Sequence, residues 1–446
     1  MDQPHIVLIM ADQLRWDCLS CYGDHPVQTP NLDALAGESA VFNRAYCAAP
    51  LCTPTRTSMF TGKWPHTHGA IVNGHAYEPE MPYGTAGPDH RTDYEILGEA
   101  GYQLTHVGVQ HLRLDPTLEE RVPAADITYN KEYAAYCRQN GIARNPQNQQ
   151  LTVPNMEWSG GRPIVSMRPQ ARVTQFPHPA EDWMDMFWSR VAAEKIAAMD
   201  PDQPQYLKVL FWAPHPPLEV AEPYFSMYPP ESIDMPPTVG QWCPGQPASL
   251  LAQSCGQMGL GQLREEYRDG WSAYFGMVTM IDDCVGRVVN ALKDKGLWDD
   301  ALVIFTSDHG EMLGCHHLMQ KHCCYEEAAR LPLLVKPPGG ASGTRPQLVS
   351  AIDYTPTVCD YAGLEPPPGA QGQSYRTAVE DPEAPLDRRH LYRLQRRPGP
   401  QPNTHARHGC PIRWTDVEIY LHSRRYRRIV QSGRRPHGNR IAQPES

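Results

Sequence analysis

Apolar residues fall along this chain in short unbroken runs, separated by stretches with helical spacing. Ile6-Val7-Leu8-Ile9-Met10 is continuous rather than alternating, as in a strand buried on both faces of a parallel sheet. Ala301-Leu302-Val303-Ile304-Phe305-Thr306 repeats the pattern, and 206–212 and 331–335 predict two more strands. Pro30-Asn31-Leu32-Asp33-Ala34-Leu35-Ala36 reads as a turn entering an amphipathic helix. The segment 274–295 carries apolar residues at helical spacing, with Gly296 placed as its C-cap. Strands alternating with helices predict an α/β layered fold. Residues 138–180, rich in Asn, Gln, Pro and Arg, and 225–262, rich in Pro, Gly, Gln and Met, read as long loops of the kind that shape binding sites.

The 446 residues, 41 % apolar and 20 % charged, suffice for a sizeable core and exclude a wholly disordered chain. No apolar run approaches the ~20 residues of a membrane span. No basic segment leads into an apolar one as in an export signal. The expectation is therefore a cytoplasmic protein with no membrane partner and thirteen cysteines held as thiols. The net charge of −10 is uneven. From residue 388 onward fourteen Arg stand against three acids, a balance of +11, whereas 26 bases and 47 acids leave 1–387 at −21. Such a tail resembles an arm for nucleic acid or another polyanion; the acidic body argues against a nucleic-acid partner.

Asp12-Gln13 and Asp308-His309 each follow a buried-strand run, so each reaches the carboxyl edge of a sheet, where ligand crevices of open α/β sheets form. Two carboxylates, an amide oxygen and an imidazole suit one divalent cation. The oxygens favour Ca²⁺, Mg²⁺ or Mn²⁺, and the imidazole admits Zn²⁺. Either pair alone is weak, because an Asp after a strand is often a helix N-cap. Cys52-Thr53-Pro54-Thr55-Arg56 carries more. Pro54 suits the first turn of a helix, which sets Cys52 beside the N-terminal N–H groups that favour an anion. Arg56, four residues on, shares its face. A nucleophile and a fixed cation at one point suit attack on a tetrahedral oxyanion ester. A single Cys is usually a small buried hydrophobe; the spacing reverses that here. Cys18 and Cys21 form a C-x-x-C with no second pair at zinc spacing, and His66 and His68 either line the pocket or lie on a surface loop.

The Cys52–Arg56 motif resembles that of type I sulfatases, in which the Cys is oxidised to Cα-formylglycine. The resemblance spans about residues 4–375 and continues, in order, through Met10-Ala11-Asp12-Gln13, Thr29-Pro30-Asn31-Leu32-Asp33, Thr61-Gly62-Lys63, Gly101-Tyr102, Ala213-Pro214-His215, Thr306-Ser307-Asp308-His309-Gly310, Lys321-His322, Tyr325-Glu326-Glu327, Asp353-Tyr354-Thr355-Pro356-Thr357 and Gln371-Gly372. It implies an alkaline-phosphatase-like fold, a large mixed and mostly parallel sheet sandwiched by helices, with a catalytic domain over 1–375 and a short Arg-rich C-terminal region over 376–446. It implies a sulfuric ester hydrolase that cleaves a small-molecule or saccharide sulfate monoester, matured by a formylglycine-generating enzyme. Asp12, Gln13, Asp308 and His309 resemble the metal ligands, with an oxygen of modified Cys52 completing the sphere and Ca²⁺ the favoured ion. Arg56 resembles the residue that holds the hydrated aldehyde. His215 and Lys321 resemble the pair that binds sulfate and helps the leaving oxygen depart. His111 matches the base that restores the aldehyde after one hydroxyl of the diol has attacked sulfur, and Asn73 falls where an Asn contacts the oxyanion.

Two departures widen the substrate question. Gln13 stands where many sulfatases carry Asp, as in choline-sulfatase-like and phosphonate monoester hydrolase-like members, and Val109 stands where Lys is usual. Both leave room for a phosphonate monoester or phosphodiester hydrolase with the same nucleophile. A catalytically inactive polyanion-binding protein, with Cys52 unmodified, is the alternative of another class. From about Leu391 the family's ending is lost together with the jump in composition, as expected of a shifted reading frame. Sequencing the encoding DNA tests this: the family's acidic ending in an alternative frame supports it, and its absence from both rejects it.

Overall fold

A computed structural model describes residues 3–386 except Asp24, 74–83, 144–151, 160–161, Gln170 and Pro244. Along the chain its strands are β1 (His5–Ala11), β2 (Ala40–Tyr46), β3 (Gln103–Gly108), β4 (Asp126–Thr128), β5 (Thr152–Ser159), β6 (Arg162–Pro169), β7 (Val173–Gln175), β8 (Gln205–Phe211), β9 (Leu218–Val220), β10 (Ala301–Ser307), β11 (Arg330–Leu331), β12 (Leu333–Lys336) and β13 (Thr344–Ser350). Nine of them form one sheet in the order β11-β2-β12-β10-β1-β8-β3-β4, with β13 also on β2. From β10 to β4 every pair is parallel. Beyond β10 the pairs with β12 and between β12, β11 and β2 are antiparallel. The sheet is thus mixed and mostly parallel, as expected.

The unbroken apolar runs explain its centre. Every residue of β1, β8 and β10 is buried, and alternate side chains feed two cores. Val7 and Ile9 meet Trp271, Tyr274, Val278 and Ile281 of the helix Tyr267–Lys295 on one face. Ile6 and Leu8 meet Met59, Phe60, Leu97 and Val358 on the other, contributed by the helices Cys52–Thr61, Asp93–Glu99 and Tyr354–Tyr361. The long helix starts seven residues before the predicted Tyr274, because Gly270–Ala273 are buried all round and show no polar face. The expected strand over 331–335 is divided at Pro332, which lacks a ladder N–H, into β11 and β12.

On the second face lies a buried ion pair. Lys208 of β8 bonds Asp93 at 2.8 and 3.0 Å, both side chains fully buried. Its ammonium lies 3.3 Å from the ring centre of Phe60 and 3.8 Å from that of Tyr94. Burial drives the amine down to about 7 and the carboxyl upward, and each partner offsets this for the other.

The long loop expected over 138–180 is overturned in part. It contains the end of the helix Asn130–Asn140, an antiparallel β5–β6 ribbon, and β7 paired with β9. Met156, Val165 and Met167 of the ribbon are exposed, so no buried run marked it. Residues 225–262 are largely irregular, with short helices at Ser249–Ala252 and Ser254–Gly259. Of the C-terminal region, the helix Arg376–Glu380 joins the second core through Ala378 and Val379, and Arg345 donates to the carbonyls of Ala378 (2.6 Å) and Val379 (2.7 Å). Residues 387–446, including the divergent tail from Leu391, lie outside the described residues. No helix among the described residues is long and apolar enough to cross a membrane.

Candidate active site

Four strand ends build the site. Ala11 of β1 is in register with Ser307 of β10 and Phe211 of β8, so Asp12 and Asp308 leave the sheet side by side and the loop bearing His215 emerges next to them. On β3, Gly108 pairs with Leu210 and turns with φ +95°. A Cβ there would lie 2.1 Å from the Leu210 carbonyl oxygen, so only glycine allows the turn that brings 109–111 back over the sheet edge.

The helix Cys52–Thr61, buried at all ten residues, points its N-terminus at this edge. Arg56 reaches across it: Nη2 donates to Asp12 Oδ2 at 2.8 Å, Nε to Asp308 Oδ2 at 2.9 Å and Nη1 to the Val109 carbonyl at 2.6 Å. Arg56, Asp12 and Asp308 are all fully buried. One fork therefore fixes both carboxylates. Burial alone would raise the Asp12 carboxyl, but the Arg56 charge first, with a hydrogen bond to His111, holds it well below the usual range. The Asn73 side-chain oxygen accepts from Thr53 N at 3.0 Å, satisfying a first-turn N–H.

Cys52 Sγ lies 3.1 Å from His309 Nε2 and 3.7 Å from Asp12 Oδ1. Asp12, Cys52, Asp308 and His309, all buried, present one ligand atom each within 4.8 Å of one another. His309 Nδ1 is 3.0 Å from the Gly310 carbonyl, which takes the Nδ1 proton and leaves the Nε2 lone pair facing the cluster. Burial lowers this imidazole's pKa, which keeps it neutral. Two carboxylates and a neutral imidazole fit a divalent cation. Burial, reinforced by Asp12, pushes the Cys52 thiol far up, so as a plain cysteine it stays protonated and weakly nucleophilic.

Gln13 adopts φ +65°, a left-handed conformation uncommon outside glycine. The bend lets its backbone N donate to Asp308 Oδ1 at 3.0 Å, while its side-chain oxygen accepts from Lys321 Nζ and its side-chain nitrogen donates to Glu311. Lys321 Nζ also contacts His215 Nε2 at 2.9 Å, and His215 Nδ1 lies 2.5 Å from the Pro216 carbonyl. Burial and then Lys321 hold the His215 pKa well below the ordinary value, so the imidazole is neutral beside the Lys321 amine. His111 Nδ1 stands 3.4 Å from Asp12 Oδ2, with its side chain 28 % exposed. The Trp212 ring lies between the two histidines, 5.9 Å from His111 and 4.4 Å from His215.

All predicted residues except Asn73 thus converge on one side of the sheet edge; Asn73 caps the helix that carries Cys52. Val109 is buried in the apolar core and brings no cation. His68 is buried between Ser58 Oγ (2.8 Å) and Ala70 N (3.1 Å), a packed histidine rather than a pocket residue, and His66 is exposed. Cys18 belongs to a second three-residue group with Asp17 and His25, but Arg15 already bonds both Asp17 oxygens, at 2.9 and 2.6 Å.

Two supporting carboxylates escaped the pattern reading. Glu311 holds the Gln13 amide and lies one residue past Asp308-His309-Gly310, so its nearness in sequence was a usable signal. Asp185 left none. Buried at the start of the helix Met184–Ala198, it accepts from Trp212 N at 2.7 Å and Ala213 N at 2.8 Å, anchoring the loop that ends in His215. Burial lifts its carboxyl to about 6, so it is ionised at neutral pH. Asp185→Ala leaves both N–H groups unpaired and is expected to lower kcat/KM about 10²-fold by displacing His215. Unchanged kcat/KM in a folded variant would remove Asp185 from the support of the site.

A family model described as Sulfatase matches residues 4–364. An arylsulfatase of Clostridium perfringens is 28 % identical over 85 % of this chain and 79 % of its own length. A multifunctional alkaline phosphatase superfamily protein, PehA, of Trinickia caryophylli is 30 % identical over 84 % of this chain and 76 % of its own. The solved structure of a phosphonate monoester hydrolase from Silicibacter pomeroyi superposes with a TM-score of 0.69 at 27 % identity, covering 86 % of this chain and 78 % of that one. With the same sheet, and with the family match running from β1 past the Lys321 loop, the chain belongs to the sulfatase family of the alkaline-phosphatase-like superfamily.

Proposed function

We infer that the chain hydrolyses a sulfate monoester at this site, with Cys52 converted to formylglycine by a maturation enzyme and one divalent cation, Ca²⁺ first, held by Asp12, Asp308 and His309. The observation that carries this is the convergence of Cys52 with those three ligands at a helix N-terminus that faces the Lys321–His215 pair. A protonated buried thiol is a poor nucleophile; oxidised to a hydrated aldehyde, the same side chain offers a hydroxyl oxygen in its place. The cation, when bound, supplies a Lewis acid for the charge on the ester.

The protein's own groups do the rest. Arg56 keeps both carboxylates in place from behind. Gln13, pinned between Lys321 and Glu311, orients the ammonium, and an amide oxygen there adds no charge of its own beside the metal ligands. Lys321 neutralises the sulfate oxygens and donates the proton that the leaving alkoxide needs, with neutral His215 steering it. His111, against Asp12 and open to solvent, is placed to take the proton that releases sulfate. Asn73 offers the oxyanion a contact only if it turns from its cap.

One set of observations favours a second substrate class. Relative to the family's usual residues, Gln13 removes a negative charge and Val109 a positive one, and relatives named for phosphonate monoester and broader phosphatase-superfamily chemistry match most of this chain. The test is a parallel assay of the protein co-expressed with a formylglycine-generating enzyme, using 4-nitrophenyl sulfate and a 4-nitrophenyl phosphonate monoester, with peptide mass spectrometry on Cys52. Higher kcat/KM on the sulfate and a formylglycine mass support the assignment; a faster phosphonate reverses it; an unmodified thiol with no turnover favours the inactive polyanion binder.

Metal removal provides a separate prediction. Ligands brought together only by folding make metal affinity part of stability, about 2.7 kcal/mol at 100 times Kd. Chelation is expected to abolish turnover and lower Tm, and added Ca²⁺ to restore both. Identical melting curves and rates with chelator would dismiss the ion.

A further inference from the structure

We propose that Cys243, His316 and Glu327 form a second reactive site, separate from ester hydrolysis, in which a hydrogen-bonded relay activates the Cys243 thiol toward small disulfides. The residues come from three segments that meet beside, but outside, the metal ligands: the irregular stretch after the turn Pro230–Ser232, the loop between Asp308 and Lys321, and the short helix Glu326–Ala329. His316 Nδ1 lies 2.8 Å from Cys243 Sγ, and its Nε2 lies 3.2 Å from Glu327 Oε1. A carboxylate can only accept, so it takes the Nε2 proton and leaves the Nδ1 lone pair facing the thiol. This is the order of groups that makes a nucleophile: thiol, base, and an acid that orients the base.

The ring is held for that purpose. It stacks on Tyr325 at 4.2 Å with a 14° interplanar angle. Its backbone is fixed in a left-handed conformation, φ +56°, by a bond from His316 N to the Thr238 carbonyl at 2.9 Å. Gln246 ties the two reactive residues together. Its side-chain nitrogen donates to the His316 carbonyl at 3.1 Å, and its side-chain oxygen accepts from Cys243 N at 3.2 Å. The remaining neighbours are compatible with a thiolate–imidazolium pair, since His316 and Arg15 hold the Glu327 carboxyl below its usual value against the opposing effect of burial. Cys243 is 6 % exposed, under a surface loop whose Gln241, Trp242 and Gly245 are exposed, and the Glu327 side chain is 17 % exposed.

The chemistry balances with a disulfide as the oxidant. The Cys243 proton passes to His316 Nδ1; Sγ attacks one sulfur of the small disulfide; a new S–S bond forms as the old one breaks; the leaving thiolate takes the proton back from His316. One thiol is released for each Cys243 converted to a mixed disulfide.

The test uses the full-length protein with oxidised glutathione at neutral pH, following each cysteine by peptide mass spectrometry. Cys243 is expected to form the glutathione adduct at least about tenfold faster than the partly exposed Cys137. His316→Gln is expected to bring Cys243 down to the Cys137 rate, and Glu327→Gln to slow it at least threefold (about). Equal wild-type rates at Cys243 and Cys137, or a Cys243 rate untouched by His316→Gln, would overturn the proposal. Should His316→Gln fail to fold, Glu327→Gln decides alone: slower labelling upholds the relay and an unchanged rate ends it.

Discussion

Cys52→Ala is expected to lower kcat on a sulfate ester by about 10⁴-fold or more while leaving a folded, metal-binding protein. The size follows from where the residue stands. Its Sγ lies 3.1 Å from His309 Nε2 and 3.7 Å from Asp12 Oδ1 at the helix N-terminus, so its replacement by a methyl group empties the position from which, on the proposed mechanism, attack on sulfur begins. Arg56, Asp12 and Asp308 keep their mutual bonds, because none depends on the thiol. Removing one buried sulfur costs about 1–2 kcal/mol, so Tm moves by only a few degrees. Steady-state assays of parent and variant after co-expression with the maturation enzyme, with a melting curve on each, make the check. Turnover within tenfold of the parent would place the nucleophile elsewhere.

Lys208→Met is expected to produce the largest loss of stability, about 3–5 kcal/mol, because it leaves Asp93 fully buried without its cation. Asp93 keeps bonds from the Tyr206 hydroxyl (2.5 Å) and Tyr94 N (2.8 Å), so its side chain cannot swing out to water without breaking them. The Met side chain fills the box of Phe60 and Tyr94, so the loss is electrostatic rather than a cavity. Pairing Lys208→Met with Asp93→Asn removes the stranded charge and is expected to recover more than half of the deficit. Thermal melts of the two single variants and the double variant measure this; a double variant less stable than Lys208→Met would show that the charge is not the cause.

How much of the site could be read in advance depended on the kind of element that carries each residue. Asp12 and Asp308 were legible because unbroken apolar runs mark central strands, and the acid that follows such a run emerges at the sheet edge. Cys52 and Arg56 were legible because helical spacing places them on one face. His111, His215 and Lys321 lie on irregular loops, where spacing has no geometric meaning, and only the resemblance to a family singled them out. Asp185 and the Lys208–Asp93 pair had no such route, and Glu311 had only its nearness to Asp308. Their roles come from what surrounds them in space, and a buried charge is indistinguishable in a string from a solvated one. The β5–β6 ribbon was missed for the opposite reason: Met156, Val165 and Met167 face outward and leave no buried-strand pattern.

The placement of β1 at the centre of the sheet also sets a timetable. Its partners are β8 and β10, and Ala11 meets Ser307 only after nearly the whole catalytic domain has been made. The wall that encloses Cys52, formed by Asp308 and His309 on one side, cannot close until then. At roughly 5–20 residues per second, the roughly 250 residues between Cys52 and that wall take on the order of 10–50 s to emerge from the ribosome. During that interval the Cys52 segment is an open peptide, accessible to the maturation enzyme proposed above. Afterwards it is sealed at 3 % exposure inside a fully buried helix. A protein refolded from denaturant in the absence of that enzyme would therefore recover its shape and its melting temperature but not its turnover.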